Sequence, residues 1–153
     1  MPLVLALGGV AQAAPGRVAA SIGRVFGRSA RVDTLRVGTD AVFRVSRGDS
    51  LLGFATVRNV RGKDQPITFL VAIDAADRLK DVDILVYREP YGGEVAYDSW
   101  RRQFHRKTAA DPLQVGRDIR GISGATISVN AVTAGVRQAL RELTAWHQSG
   151  WIK

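Results

Sequence analysis

The sequence predicts an α+β domain: an antiparallel β-meander sheet packed against a long C-terminal helix, with shorter helices beside it. Three observations carry that expectation. Residues 40–88 are rich in β-branched side chains that alternate with polar ones, and short turn sequences interrupt them. Residues 126–147 place Val129, Val132, Val136, Leu140, Leu143 and Trp146 on one stripe, the period of an amphipathic helix. The 153 residues suffice for one core of ordinary size, so a single domain is expected.

The elements follow in order. Val18, Ile22, Val25 and Phe26 recur at helical spacing, which predicts a short amphipathic helix over residues 16–27. Residues 41–46 read as a strand, and Arg47-Gly48-Asp49-Ser50 as a hairpin turn. Residues 51–60 form the second strand, closed by Arg61-Gly62-Lys63-Asp64. The third, 66–74, places Ile67, Phe69, Val71 and Ile73 on one face, and the turn at 75–78 leads into the fourth, 79–87. Pro90 and the Gly92-Gly93 pair forbid continuation of a strand through 88–94. Val95, Trp100 and Phe104 predict a helix over 95–106 that buries its aromatic residues. Residues 108–121, with Pro112 and Gly116, read as a loop, and Ser149-Gly150 ends the last helix.

Composition excludes several chemistries. There are no cysteines, hence no disulfide, thiolate metal site, iron–sulfur cluster or cysteine nucleophile. Two histidines, His105 and His147, are too few for a zinc or haem centre, so no metal is expected. Glu89, Glu94 and Asp98 form no pair at a recognisable catalytic spacing. The formal charge of +8 comes from arginines scattered along the chain rather than a dense run. Nucleic acid is therefore not an expected partner, whereas an acidic protein or an anionic membrane surface is compatible with the charge. The apolar run from Met1 to Val10, followed by Ala11-Gln12-Ala13, ends as a secretory signal peptide does. It lacks the usual basic start and is too short to span a bilayer. The expectation is a truncated or atypical leader over residues 1–14, a domain over 15–153, and work in the periplasm or elsewhere outside the cytoplasm. A buried N-terminal strand or helix is the competing reading.

Ile122-Ser123-Gly124-Ala125-Thr126-Ile127-Ser128 ends a loop and opens the longest helix. A helix N-terminus gathers free backbone N–H groups, and small residues let a phosphate approach them. An anion there gains about 1 kcal/mol from the helix dipole. A hydroxyl in the same place can instead serve only as an N-cap. The tetrapeptide by itself leaves both uses open.

Ser123-Gly124-Ala125-Thr126, with Ser128 as a further hydroxyl, resembles the signature of the FMN-binding domain family. That family includes the G subunit of the Rnf ion-translocating complex and the C subunit of the sodium-pumping NADH:quinone oxidoreductase. The resemblance covers residues 32–143: Gly53-Phe54, the hairpins, residues 66–74, the Glu89-Pro90-Tyr91-Gly92-Gly93 loop, residues 100–104 and Gly135-Val136-Arg137. It implies an FMN attached as a phosphoester to Thr126 by a flavin transferase. Ser123, Gly124, Ala125, Ile127 and Ser128 would surround the phosphate, and Glu89, Tyr91, Gly92 and Gly93 would border the ring. Two departures stand out. Family members often read Glu-Thr-Pro-Gly-Leu-Gly where this chain has Pro90 directly after Glu89 and Tyr91 before the glycines. Arg120 occupies a position that is often acidic, where Asp118 could substitute.

The implied protein is an extracytoplasmic electron-transfer flavoprotein, not an enzyme with its own substrate, because the flavin supplies the redox chemistry. Its partners would be the transferase once and redox proteins repeatedly, with a membrane-bound one as an option. The alternative is a regulatory or sensory module of a membrane redox system that binds FMN reversibly.

Overall fold

The computed structural model describes residues 13–153. The apolar stretch of the expected leader lies outside the described residues. No described helix is long and apolar enough to cross a membrane.

Alternating β-branched residues separated by tight turns produce a five-stranded antiparallel sheet whose spatial order is the chain order. The strands are β1 (Arg31–Val37), β2 (Asp40–Arg47), β3 (Ser50–Arg61), β4 (Pro66–Asp74) and β5 (Leu79–Val86). Val37 faces Asp40 and Arg47 faces Ser50, so the first two hairpins have two-residue loops. Gly38 and Gly48 meet the positive φ such loops demand, at 58° and 57°. β1 is a strand that the sequence pattern does not announce. Val32, Leu35 and Val37 do not alternate strictly, and no residue of β1 is fully buried. Pairing with β2 along its whole length makes it a strand, at the edge of the sheet.

The pleat sends alternate residues of β4 to opposite faces, and both faces are covered, so seven consecutive residues of β4 are buried. Ile67, Phe69, Val71 and Ile73 join Val42, Phe54 and Val82 against α3 (Thr126–Gln148), which contributes Val129, Val132, Val136, Leu140 and Leu143. Leu70 and Ala72 join Val45, Ala55 and Leu85 against Ile22 and Phe26 of α1 (Pro15–Phe26). Each large apolar side chain buried in this way contributes about 1.5–3 kcal/mol. Gly135 sets how closely α3 lies on the sheet. A Cβ there would stand 2.6 Å from Val60 Cγ1 and 2.7 Å from Phe69 Cζ.

The single helix expected over 95–106 is not formed. The segment is instead a 3-10 turn (Gly93–Ala96), one turn of α-helix, α2 (Asp98–Arg101), and a second 3-10 turn (Arg102–Phe104). Tyr97 between them is extended, at φ −71° and ψ 134°. Bonds to distant elements explain the break. The Arg106 N–H donates to the Leu79 carbonyl and the Leu79 N–H to the Lys107 carbonyl, each at 2.7 Å. The Trp100 indole N–H donates to the Arg120 carbonyl at 2.8 Å. Trp100 and Phe104 do pack in the core, edge to face with ring centroids 5.2 Å apart.

Candidate functional site

Residues 122–125 form a tight turn that aims the start of α3. The Ala125 N–H donates to the Ile122 carbonyl at 3.0 Å, and Gly124 takes a left-handed φ of 80°. Ala125 is the N-cap residue and is itself buried. The Val129 N–H closes the first helical turn onto the Ala125 carbonyl at 3.0 Å. The N–H groups of Thr126, Ile127 and Ser128 therefore have no intrahelical acceptor, and no side chain caps them. Neither Ser123 nor Thr126 acts as the N-cap. What the turn offers is a bare set of donors at the positive end of a 23-residue helix.

The three hydroxyls of the motif have different surroundings. Ser123 and Thr126 are exposed, whereas Ser128 is buried. Ser128 Oγ lies 2.8 Å from the Tyr87 hydroxyl. That hydroxyl also donates to the Tyr91 carbonyl. A phenol has one proton, so with it on Tyr91 the Ser128 hydroxyl is the donor in the Tyr87–Ser128 bond.

Through this pair the second expected segment, residues 89–93, reaches the first. Gly92 is buried with φ 85°. A Cβ on it would stand 2.5 Å from the Tyr87 hydroxyl oxygen and 2.8 Å from Ser128 Oγ. The loop thus rests on the opening turn of α3. Tyr91 and Ile127, one on each of these two neighbouring segments, are 82% and 51% exposed. Such side chains can pack against a planar ring.

Glu89 does not share in this junction. Its Oε1 accepts from the amides of Asp64 at 2.6 Å and Gln65 at 2.8 Å in the β3–β4 turn. Those two bonds, led by the one from Asp64, hold its carboxyl below the ordinary value. Asp118, the candidate substitute for the family's acidic residue, accepts from the amides of Leu113 at 3.0 Å and Gln114 at 2.9 Å and pairs with Lys107. Tyr87 is a site residue that sequence reasoning misses. Its signal was a tyrosine at the end of an apolar strand, whose half-buried hydroxyl must find a partner. No group of metal-ligating side chains is present among the described residues.

The FMN-binding domain family matches residues 62–141, more than half of the chain, including both segments of this junction. The chain belongs to the FMN-binding domain family. Over 112 residues it is 30% identical to the G subunit of the proton-translocating ferredoxin:NAD(+) oxidoreductase complex of Clostridium ljungdahlii. That alignment covers 68% of this chain and 60% of the relative. FMN is the cofactor of this FMN-binding domain, and the uncapped start of α3 fits its phosphate. The amides of Thr126, Ile127 and Ser128 would hold the phosphate, with Tyr91 and Ile127 available to the ring.

Proposed function

We propose that this FMN-binding domain is an electron-transfer module that carries FMN as a phosphoester on Thr126. The observation that carries the reading is the difference between the hydroxyls. Thr126 is exposed in the first turn of α3, beside the free amides, while Ser128 is buried and its hydroxyl is engaged with Tyr87. Ser123 lies within the tight turn that precedes α3, three residues before Thr126 and outside the helix. When bound, FMN supplies the redox chemistry. The chain's part is to hold the phosphate on backbone donors and to keep residues 87–93 against the helix beside it.

Similarity to the G subunit of a ferredoxin:NAD(+) oxidoreductase complex supports a place in a membrane-associated, multisubunit redox system. A tether suits a module outside the cytoplasm, where a lost cofactor is not readily replaced. A flavin transferase is the partner for maturation, and redox proteins are the partners in turnover.

Co-expression with a flavin transferase outside the cytoplasm tests the attachment. The chain should gain the mass of FMN less one water, retained after denaturation and mapping to the peptide that contains Thr126. Thr126→Val should abolish the adduct. Because Ala125 rather than Thr126 occupies the N-cap, stability should stay within about 0.5 kcal/mol. An adduct that persists in that variant would move the acceptor to Ser123. Wild-type chain whose flavin washes off on denaturation would leave a reversible, regulatory FMN module as the reading.

A further inference from the structure

An open groove of about 760 Å³ lies between residues 99–103 and 116–121. It borders the motif loop at Gly121, two residues before Ser123. Its lining includes Arg102, Arg117 and Arg120 and one acid, Asp118, with Trp100 and Gln103 among the remainder.

The wall that carries Arg117 and Arg120 is built from short-range bonds. The Arg117 N–H donates to the Gln114 carbonyl at 3.0 Å, and Gly116, at φ 89°, donates to the Ile119 carbonyl at 2.9 Å. The two segments are tied across the groove. The Arg120 N–H donates to Gln103 Oε1 at 2.7 Å, and the Arg120 carbonyl accepts from the Trp100 indole at 2.8 Å.

Asp118, the one acid of residues 116–121, has its carboxylate engaged by the Leu113 and Gln114 amides and by Lys107. Arg117 and Arg120 are exposed and have no ion-pair partner among the described residues. Arg102 pairs with Asp98 at 2.7 Å, but both side chains are more than 60% exposed, and such a surface pair is weak enough to exchange partners. The groove is thus a braced frame in which three arginines face a single carboxylate, Asp118, that is already engaged with Lys107 and two amides.

We propose that this groove is the docking site for an acidic segment of a partner protein, seated beside the loop that leads to Thr126. Carboxylates on the partner would pair with Arg117 and Arg120, and arginine binds carboxylates in two-pronged pairs. Nucleic acid suits the groove less well. Its aromatic residue, Trp100, is only 5% exposed and bonded to a carbonyl, so no base can stack on it. The surface does not require that flavin be attached.

The test titrates the full chain, without flavin, with a twelve-residue Glu/Asp peptide and in parallel with a twelve-nucleotide oligothymidylate. Binding is followed by the NMR signals of the Trp100 indole N–H and the Arg120 amide. The peptide should shift both signals saturably and less strongly as salt rises. The double variant Arg117→Glu/Arg120→Glu should weaken binding about tenfold or more, as reversal of interface charges does. The same change at Arg28 and Arg36, exposed positions after α1 and on β1, should alter it less than about twofold if net charge alone acts only through screened distance.

Three outcomes would overturn the proposal: no shift at Trp100 and Arg120, equal losses in the two double variants, or oligothymidylate binding as tight as the peptide's. None of these readouts uses flavin, so failure here leaves the Thr126 assignment intact. Failure of the adduct likewise leaves the groove intact.

Discussion

The Tyr87 hydroxyl lies 2.8 Å from Ser128 Oγ and joins the end of β5 to the first turn of α3. The same hydroxyl holds the Tyr91 carbonyl, so one side chain fixes the loop and the helix start relative to each other. Tyr87→Phe removes both bonds and leaves Ser128 without its partner. At about 1 kcal/mol for each net hydrogen bond, urea unfolding should show a loss of about 1–2 kcal/mol. The absorbance of bound flavin should change, and on the proposed attachment to Thr126 the adduct should be retained. A variant equal to wild type in both stability and spectrum would show that the junction does not support the site.

Gly92→Val tests the contact from the loop side. The added side chain meets both hydroxyls and must also adopt φ 85°, a conformation that β-branched residues avoid. Loss of stability of about 2 kcal/mol or more is expected, with a perturbed flavin spectrum and potential, while attachment to Thr126 remains possible. A full-stability variant with an unchanged spectrum would return residues 89–93 to the status of a surface turn.

Glu89 makes the β3–β4 turn sensitive to acid. Its folded-state pKa is depressed below the ordinary 4.5, chiefly by the Asp64 and Gln65 amides. Its stabilising effect is therefore present above the unfolded value and lost as pH falls through the folded value. Comparing wild type with Glu89→Gln, the stability difference should be full near pH 6 and should shrink as pH drops below about 4.5. A difference that does not vary with pH would assign the effect to packing.

Gly53 is a position where the sheet admits no side chain. A Cβ there would stand 1.9 Å from the Ile73 carbonyl oxygen on β4, beside the register shift at Val45 and Ser46. Gly53→Ala should cost more than about 3 kcal/mol, seen as a large fall in melting temperature or failure to fold. A melting temperature within a few degrees of wild type would show that β3 can shift to make room.

Four of the strands were legible because each has its own signal: β-branched alternation bounded by Gly, Asp or Pro turns. The stripe from Val129 to Trp146 was legible in the same way, as was the small-residue motif at its start. β1 was not, because its identity as a strand rests on β2 rather than on its own pattern. Residues 95–106 carry helical spacing, yet bonds from Arg106 and Trp100 to Leu79 and Arg120 divide them into short turns. The bonds from the Glu89 carboxylate to amides 24 and 25 residues away were not legible, because the pairing of β3 with β4 is what brings that turn to it.

The sequence by itself determined the α+β class, the meander, the long helix and the small-residue turn at its N-terminus, since each depends on periodicity or on chemistry within a few residues. Only the tertiary structure decided how the hydroxyls of that motif differ. Ser128 is buried and engaged because Tyr87, 41 residues earlier, is carried to it by β5, while Thr126 stays in the open. A hydrogen bond has directional reach of only about 3 Å. Which hydroxyl it engages is therefore set by how α3 lies on the sheet, a distance that Gly135, Val60 and Phe69 fix through their packing.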